Sequence, residues 1–145
     1  MANEVSVHAV LTGNMRFDIE TDSGHTIVVD NHEENAGASP MELLLAALAG
    51  CTGMDVISIL RKKRQEVTSY EVRIHGLRAE EHPKVYKQII VEHIFSGHNI
   101  QELAVQRAIQ LSQEKYCGVG NTLDKTATIT HTFVIKEMKS VLPPA

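Results

Sequence analysis

The sequence predicts an α+β fold, organised as one domain over residues 1–145. Three observations lead there. The chain opens with short β-prone runs separated by turn residues. A long, capped, strongly apolar helical stretch follows from about residue 39. The rest reads strand, strand, helix, strand, which is not the regular alternation of a parallel α/β sheet.

The first thirty residues justify a meander of three short antiparallel strands. Val5, Val7 and Val10 start an apolar pattern, and Thr12-Gly13-Asn14 is a turn signal. Arg16 to Glu20 alternates loosely, Asp22-Ser23-Gly24 turns again, and Thr26-Ile27-Val28-Val29-Asp30 is rich in β-branched residues. Residues 31–38 are polar and small and predict a loop. Ser39 then suits an N-cap, Pro40 the first helical position, and Glu42 completes an S-x-x-E capping box. This helix runs to about Arg64. Its first half, Met41 and Leu43 to Ala49, is apolar on nearly every side, so it must be covered all round. One small sheet cannot do that. Either a partner subunit or deep embedding is required.

Residues 69–80 and 85–95 alternate as strands, joined by a turn at His82-Pro83. Ser96-Gly97-His98-Asn99 punctuates, and a second helix is predicted over 100–115, with Leu103, Ala104, Ala108 and Leu111 on one side. Cys117 follows it among glycines. A last strand runs from Ala127 to Lys136, and Leu142-Pro143-Pro144-Ala145 reads as a loose tail.

Composition narrows the function classes. Hydrophobic residues make up 43% of the 145, aromatics 4%, and there is no Trp. Base-stacking or sugar-binding surfaces would need exposed rings. The net charge of −4 argues against a phosphate backbone as partner, so no nucleic acid is expected. The Arg61-Lys62-Lys63-Arg64 cluster is explained by the carbonyl end of a helix dipole. The amino terminus lacks a secretion-signal profile, and no run of about 18 uninterrupted apolar residues suggests a membrane span. A cytoplasmic location is the expectation, where a working cysteine is more plausible than a permanent bridge.

The two cysteines carry the chemistry. Cys51 sits late in the apolar helix beside Ala49, Gly50 and Gly53; Cys117 lies in Tyr116-Cys117-Gly118-Val119-Gly120-Asn121. A thiolate attacks the O–O bond of a peroxide and becomes a sulfenic acid, which a second thiol condenses to a disulfide. Glycines at 50 and 53 cost about 1 kcal/mol each relative to Ala within a helix, so close approach of another segment or a ligand is expected there. If a new helix begins at Cys117, its dipole would favour a thiolate. The plainer alternative is two buried small hydrophobes, the usual fate of free cysteine. The histidines (8, 25, 32, 75, 82, 93, 98 and 131) are scattered, with no C-x-x-C or H-x-x-x-H spacing, so no metal site is expected. A Cys–His hydrolase using His25 or His131 as base is a further alternative.

At these residues the chain resembles the OsmC/Ohr family of thiol-dependent peroxidases. The likeness lies in Ser23 to Asp30, in the Ser39-Pro40-Met41-Glu42 to Gly50-Cys51 helix, and in Tyr116-Cys117-Gly118-Val119. It covers most of the chain. It implies antiparallel sheets packed around a long central helix in an intertwined homodimer, with active sites at the subunit interface. It also implies reduction of organic hydroperoxides, with hydrogen peroxide as a further substrate, in oxidative stress defence. Cys51 would be the peroxidatic thiol and Cys117 the resolving thiol. Arg16 would stabilise the thiolate, and Glu42 would hold the arginine. Glu42 departs from the family pattern, in which a glutamate directly follows the proline; here Met41 stands there. One residue is about 100° around a helix, and the capping box is a sufficient role for Glu42. The implied partners are the hydroperoxide and a thiol reductant such as a dihydrolipoyl protein, with no cofactor. The departure at position 41 keeps a second reading open, a dimeric binding protein for a small apolar ligand.

Overall fold

The structure is a computed structural model that describes residues 3–138. The tail at 142–145 lies outside the described residues. The chain forms two compact units, one ending at Leu44 and the other beginning at Leu45.

The first unit holds the expected meander. Strands β1 (Val7–Leu11), β2 (Phe17–Thr21) and β3 (Thr26–Val29) pair antiparallel in the order β1-β2-β3. Gly24, at φ 86°, supplies the left-handed residue of the β2–β3 turn, a conformation that glycine adopts without steric cost. Asp30 is only 2% exposed. Its carboxylate accepts the backbone N–H groups of Asn31 at 2.7 Å and Ala36 at 3.1 Å and so shapes the loop that follows.

Helix α1 (Pro40–Lys62) begins where the capping box places it. Glu42 Oε1 accepts from the Ser39 N–H at 3.0 Å and from Ser39 Oγ at 2.8 Å, while Ser39 Oγ accepts from the Glu42 N–H at 3.3 Å. Arg61 and Lys62 occupy the last turn, as the dipole argument requires. The helix buries a stripe at four-residue spacing, Leu48, Thr52, Val56 and Leu60. Among the described residues the cover expected for its apolar first half is incomplete: Leu44 is 39% exposed. By length and composition α1 could cross a bilayer, against the expectation drawn from its interruptions, and only 28% of that stretch is buried.

The second unit continues with a three-stranded sheet. Strands β4 (Glu66–Arg78) and β5 (Tyr86–His98) pair antiparallel. Strand β6 (Thr128–Glu137) pairs parallel with β5, so this sheet is mixed rather than purely antiparallel. The reason is the long crossover between them, which carries helix α2 (Glu102–Leu111), a π-turn at Ser112–Tyr116 and helix α3 (Gly118–Leu123). The expected single helix over 100–115 is thus divided. β5 extends through Gly97 to His98 instead of stopping at Phe95, because a glycine beside Glu66 lets the two backbones approach closely.

The core of this unit joins Val56 and Leu60 of α1, Phe95 of β5, and Val105, Ala108 and Ile109 of α2. Residues two apart on a strand share a face. Tyr70 on β4, His93 and Phe95 on β5, and His131 on β6 share that inner face, with Tyr70 opposite Phe95, Val72 opposite His93 and Val91 opposite His131. Three polar rings therefore cross the sheet diagonally.

Candidate active site

Cys51 lies on α1, one turn before Asp55, so both side chains share one helix face. Cys117 is set by the π-turn. Its N–H donates to the Ser112 carbonyl at 2.8 Å, and its backbone then turns extended (φ −77°, ψ 99°) to cap α3. The two sulfurs and an Asp55 carboxylate oxygen lie within 4.8 Å of one another. The sequence separation of the two cysteines is closed by the packing of the crossover against α1, and both are free thiols.

The surroundings are built from buried hydroxyls. Ser112 Oγ donates to Asp55 Oδ2 at 3.0 Å. Having given its one proton to Asp55, Ser112 accepts from Thr52 Oγ1 at 3.1 Å. The chain Thr52–Ser112–Asp55 fixes the carboxylate beside the sulfurs. Cys117 Sγ accepts the Gly120 N–H at 3.2 Å. Gly120 permits that approach, since a β-carbon there would sit 3.2 Å from the same sulfur. The helix start at Cys117 that the sequence raised as a condition is therefore present.

Burial pushes the Cys117 thiol up to about 11; the Gly120 N–H opposes this, while neighbouring Cys51 and Asp55 add to it. Cys117 is thus a protonated thiol at neutral pH. A narrow cavity of about 40 Å³ opens beside it, lined among others by Leu48, Thr52, Asp124 and His131.

His131 belongs to a buried chain. Tyr70 Oη lies 2.7 Å from His93 Nδ1, and His93 Nε2 lies 2.9 Å from His131 Nδ1. Burial lowers His93 to about 3 and His131 to about 4, so both imidazoles are neutral at physiological pH. Sequence reasoning named His131 only as one of two candidate bases and missed Tyr70, His93 and Asp55. The four-residue interval from Cys51 to Asp55 was the available signal for Asp55. Nothing local marked His93.

Arg16 and Glu42 belong to the first unit, and each is engaged there. Arg16 Nε donates to Asp18 Oδ1 at 2.9 Å, and Thr12 Oγ1 donates to the same oxygen at 2.9 Å. The Arg16 hydrogen bond holds the Asp18 carboxyl below its ordinary range, as the Ser39 N–H does for Glu42. His25 of the first unit is exposed, with Nδ1 3.0 Å from Ser23 Oγ.

These groups fix how stability depends on pH. His93 and His131 resist protonation when folded, so stability is full above the ordinary histidine value of 6.5 and falls as pH drops towards 3–4. Asp18 and Glu42 act in the same direction at acid pH. Cys117 resists deprotonation, so stability falls as pH rises from the ordinary thiol value of 9.0 towards 11. Urea midpoints measured across pH are expected to plateau between these limits. A midpoint that rises on acidification below the histidine value would contradict the buried neutral pair.

Cys51, Asp55 and Cys117 are, among the described residues, the one group of His, Cys, Asp and Glu close enough to share a metal ion. Three protein ligands are fewer than a closed structural zinc site uses and match the number in an open, catalytic one. The two neighbouring free thiols can also undertake thiol–disulfide chemistry. The site defines a protein with two adjacent thiols, the buried one lining a narrow cavity.

Comparison with known proteins places that class. The OsmC-like protein family matches residues 32–132, and the chain belongs to this family. It is 41% identical over 116 residues to Protein YhfA of Escherichia coli K12, covering 80% of this chain and 87% of that protein. A hypothetical protein from Aquifex aeolicus VF5 has a crystal structure matching 95% of this chain and 100% of its own, at 32% identity and a TM-score of 0.87. The organic hydroperoxide resistance protein OhrB of Bacillus subtilis shares the fold, with a TM-score of 0.61 and 17% identity over 91% of this chain and 98% of its own.

Proposed function

We propose that this chain is a cysteine-based peroxidase for organic hydroperoxides, with hydrogen peroxide as a further substrate. The observation that carries the reading is the convergence of the Cys51 and Cys117 sulfurs, with a narrow cavity opening at Cys117. Cys51, as thiolate, attacks the O–O bond of R–O–O–H. An S–O bond forms, the O–O bond breaks, Cys51 becomes a sulfenic acid and the alkoxide RO⁻ takes a proton. Cys117 then gives up its proton as it attacks the Cys51 sulfur; the proton leaves with the hydroxide as water, and a disulfide remains. A thiol reductant, such as a dihydrolipoyl protein, returns both thiols in a reducing cytoplasm.

Arg16 and Glu42 enter this proposal through the family resemblance alone. Their part is decided by the rate of Cys51 oxidation by cumene hydroperoxide in Arg16→Gln and Glu42→Gln. Loss of a hydrogen bond to the thiolate is expected to slow Cys51 oxidation about tenfold. A parental rate in both variants would leave Arg16 to its Asp18 pair and Glu42 to its cap.

The deciding experiment is mass spectrometry of the intact protein after one equivalent of cumene hydroperoxide. Quantitative Cys51–Cys117 linkage, with loss of the two thiol hydrogens, supports the peroxidase. Unchanged thiols overturn it in favour of a protein that binds a small apolar ligand.

The apolar flank that α1 leaves uncovered, with Leu44 39% and Met54 72% exposed, supports a homodimer in which a second copy covers it. Sedimentation equilibrium is expected to return twice the 16.0 kDa chain mass. A single-chain mass at micromolar concentration would remove the dimer.

A further inference from the structure

We propose that Cys51, Asp55 and Cys117 form a binding site for a zinc ion, and that zinc held there keeps both thiols out of redox chemistry. The binding half stands on geometry; the regulatory half rests on the peroxidase reading above.

Two sulfurs and one carboxylate oxygen, brought together from α1 and the crossover, lie within 4.8 Å of one another. With bond lengths of about 2.3 Å to sulfur and about 2.1 Å to oxygen, a tetrahedral zinc ion holds two sulfurs about 3.8 Å apart and a sulfur and an oxygen about 3.6 Å apart. Small rotations of the three side chains cover the difference. The donor set also selects the cation. Thiolates suit soft and borderline ions, whereas magnesium and calcium take oxygen donors. Two thiolates and a carboxylate concentrate negative charge that a divalent ion offsets. Three protein donors leave a fourth position for water.

The second observation is the support around the donors. Hydrogen bonds from outside a metal site orient its ligands, and losing one costs affinity. Ser112 Oγ donates to Asp55 Oδ2 at 3.0 Å, and Thr52 Oγ1 donates to Ser112 Oγ at 3.1 Å. Asp55 is half-buried, and among the described residues its Oδ1 has no hydrogen-bond partner and its carboxylate no cation partner. The hydroxyls therefore hold the carboxylate in place and leave one oxygen free. The Gly120 N–H donates to Cys117 Sγ at 3.2 Å, a bond that favours the thiolate a metal needs. Spacing hid this site in the sequence. Two ligands are one turn apart on α1, but the third arrives only through the packing of the crossover.

Occupancy has a chemical consequence. Each coordinated sulfur is a thiolate whose proton has gone to solvent and whose lone pair is shared with the ion. Bound Cys51 is a weaker nucleophile towards the O–O bond, and bound Cys117 must leave the metal before it can attack a sulfenic acid. The converse also holds. A Cys51–Cys117 disulfide has no thiolate to offer, so the oxidised protein does not hold the ion. Zinc binding and disulfide formation exclude each other, and a dithiol reductant restores the site.

The test is titration of the reduced full chain with zinc against a chromophoric chelator, together with X-ray absorption at the zinc edge. One zinc per chain with two sulfur neighbours is expected. Ser112→Ala is expected to weaken binding about tenfold, the lower end of the usual loss when a ligand's outer partner is removed. Asp55→Ala and Cys51→Ser are expected to weaken it further. The disulfide form, prepared with diamide, is expected to bind none. One equivalent of zinc is expected to suppress Cys51 oxidation by cumene hydroperoxide, and a chelator to restore it. No stoichiometric zinc, or zinc with fewer than two sulfur neighbours, overturns the site, and the peroxidase stands where the free thiols still react. Parental affinity in Cys51→Ser and Asp55→Ala places the ion elsewhere and overturns the site as well. Zinc on two sulfurs with undiminished Cys51 oxidation overturns the regulatory half. Zinc-free thiols that do not react overturn the peroxidase, while zinc on two sulfurs keeps the site. Should the variants fail to fold, the sulfur count on the wild-type chain decides.

Discussion

Cys51→Ser is expected to consume no hydroperoxide, and Cys117→Ser to complete one oxidation and stop. The asymmetry follows from the site. Cys117 is 2% exposed and held as a thiol by burial, whereas Cys51 is only partly buried. A protonated sulfur is a poor first nucleophile, because the thiolate is the reactive form. In the second step Cys117 gives up that proton as it attacks the sulfenic acid, and the proton departs with the hydroxide as water. Without Cys117 the sulfenic acid has no partner and persists, open to a dimedone label. Without Cys51 no sulfenic acid forms. The measurement is peroxide consumption with a dithiol reductant, alongside dimedone labelling. If Cys51→Ser keeps the parental rate, the assignment of the first nucleophile is wrong. If Cys117→Ser turns over repeatedly without an external thiol on Cys51, the resolving role is wrong.

Phe95→Ala is expected to lower stability by about 3–5 kcal/mol, the usual cost of removing a buried phenyl ring. Phe95 is fully buried on the central strand. It packs with Val56 and Leu60 of α1 and with Val105, Ala108 and Ile109 of α2, so its loss opens a void between two helices and the sheet. It also stacks on Tyr70 with centroids 4.5 Å apart, an arrangement worth about 0.5–1.5 kcal/mol beyond burial. A domain has a total of roughly 5–15 kcal/mol, so this one ring is a large share of it. Urea unfolding followed by circular dichroism gives the number. A loss below about 1 kcal/mol would mean that the helices close the void, and that the inner face of the sheet is not held by this ring. Because Tyr70 rests on Phe95, the substitution should also loosen the Tyr70–His93–His131 hydrogen-bond chain.

The α+β class and the helix that carries Cys51 were legible because their signals are local. Ser39, Pro40 and Glu42 start α1 by hydrogen bonds that span three residues, and the structure shows those bonds. Gly24 marks a turn for the same reason. The parallel pairing of β6 was not legible, since strand direction depends on how the crossover packs and not on the strand's own residues. The π-turn before Cys117 escaped notice because it interrupts a helix without a proline or glycine inside it.

The sequence by itself determined that two thiols exist, that one lies on an apolar helix and the other follows a second helix, and that the chain has the family's marks around both. Local chemistry is enough for that, because caps, turns and hydrophobic period act over a few residues. Only the tertiary structure decided that sulfurs 66 positions apart in the chain meet (117 − 51), that Asp55 and the Ser112 hydroxyl stand beside them, and that Tyr70, His93 and His131 form one line across three strands. Those neighbours are made by strand register and by the packing of the crossover on α1, and neither has a signature within any short run of residues.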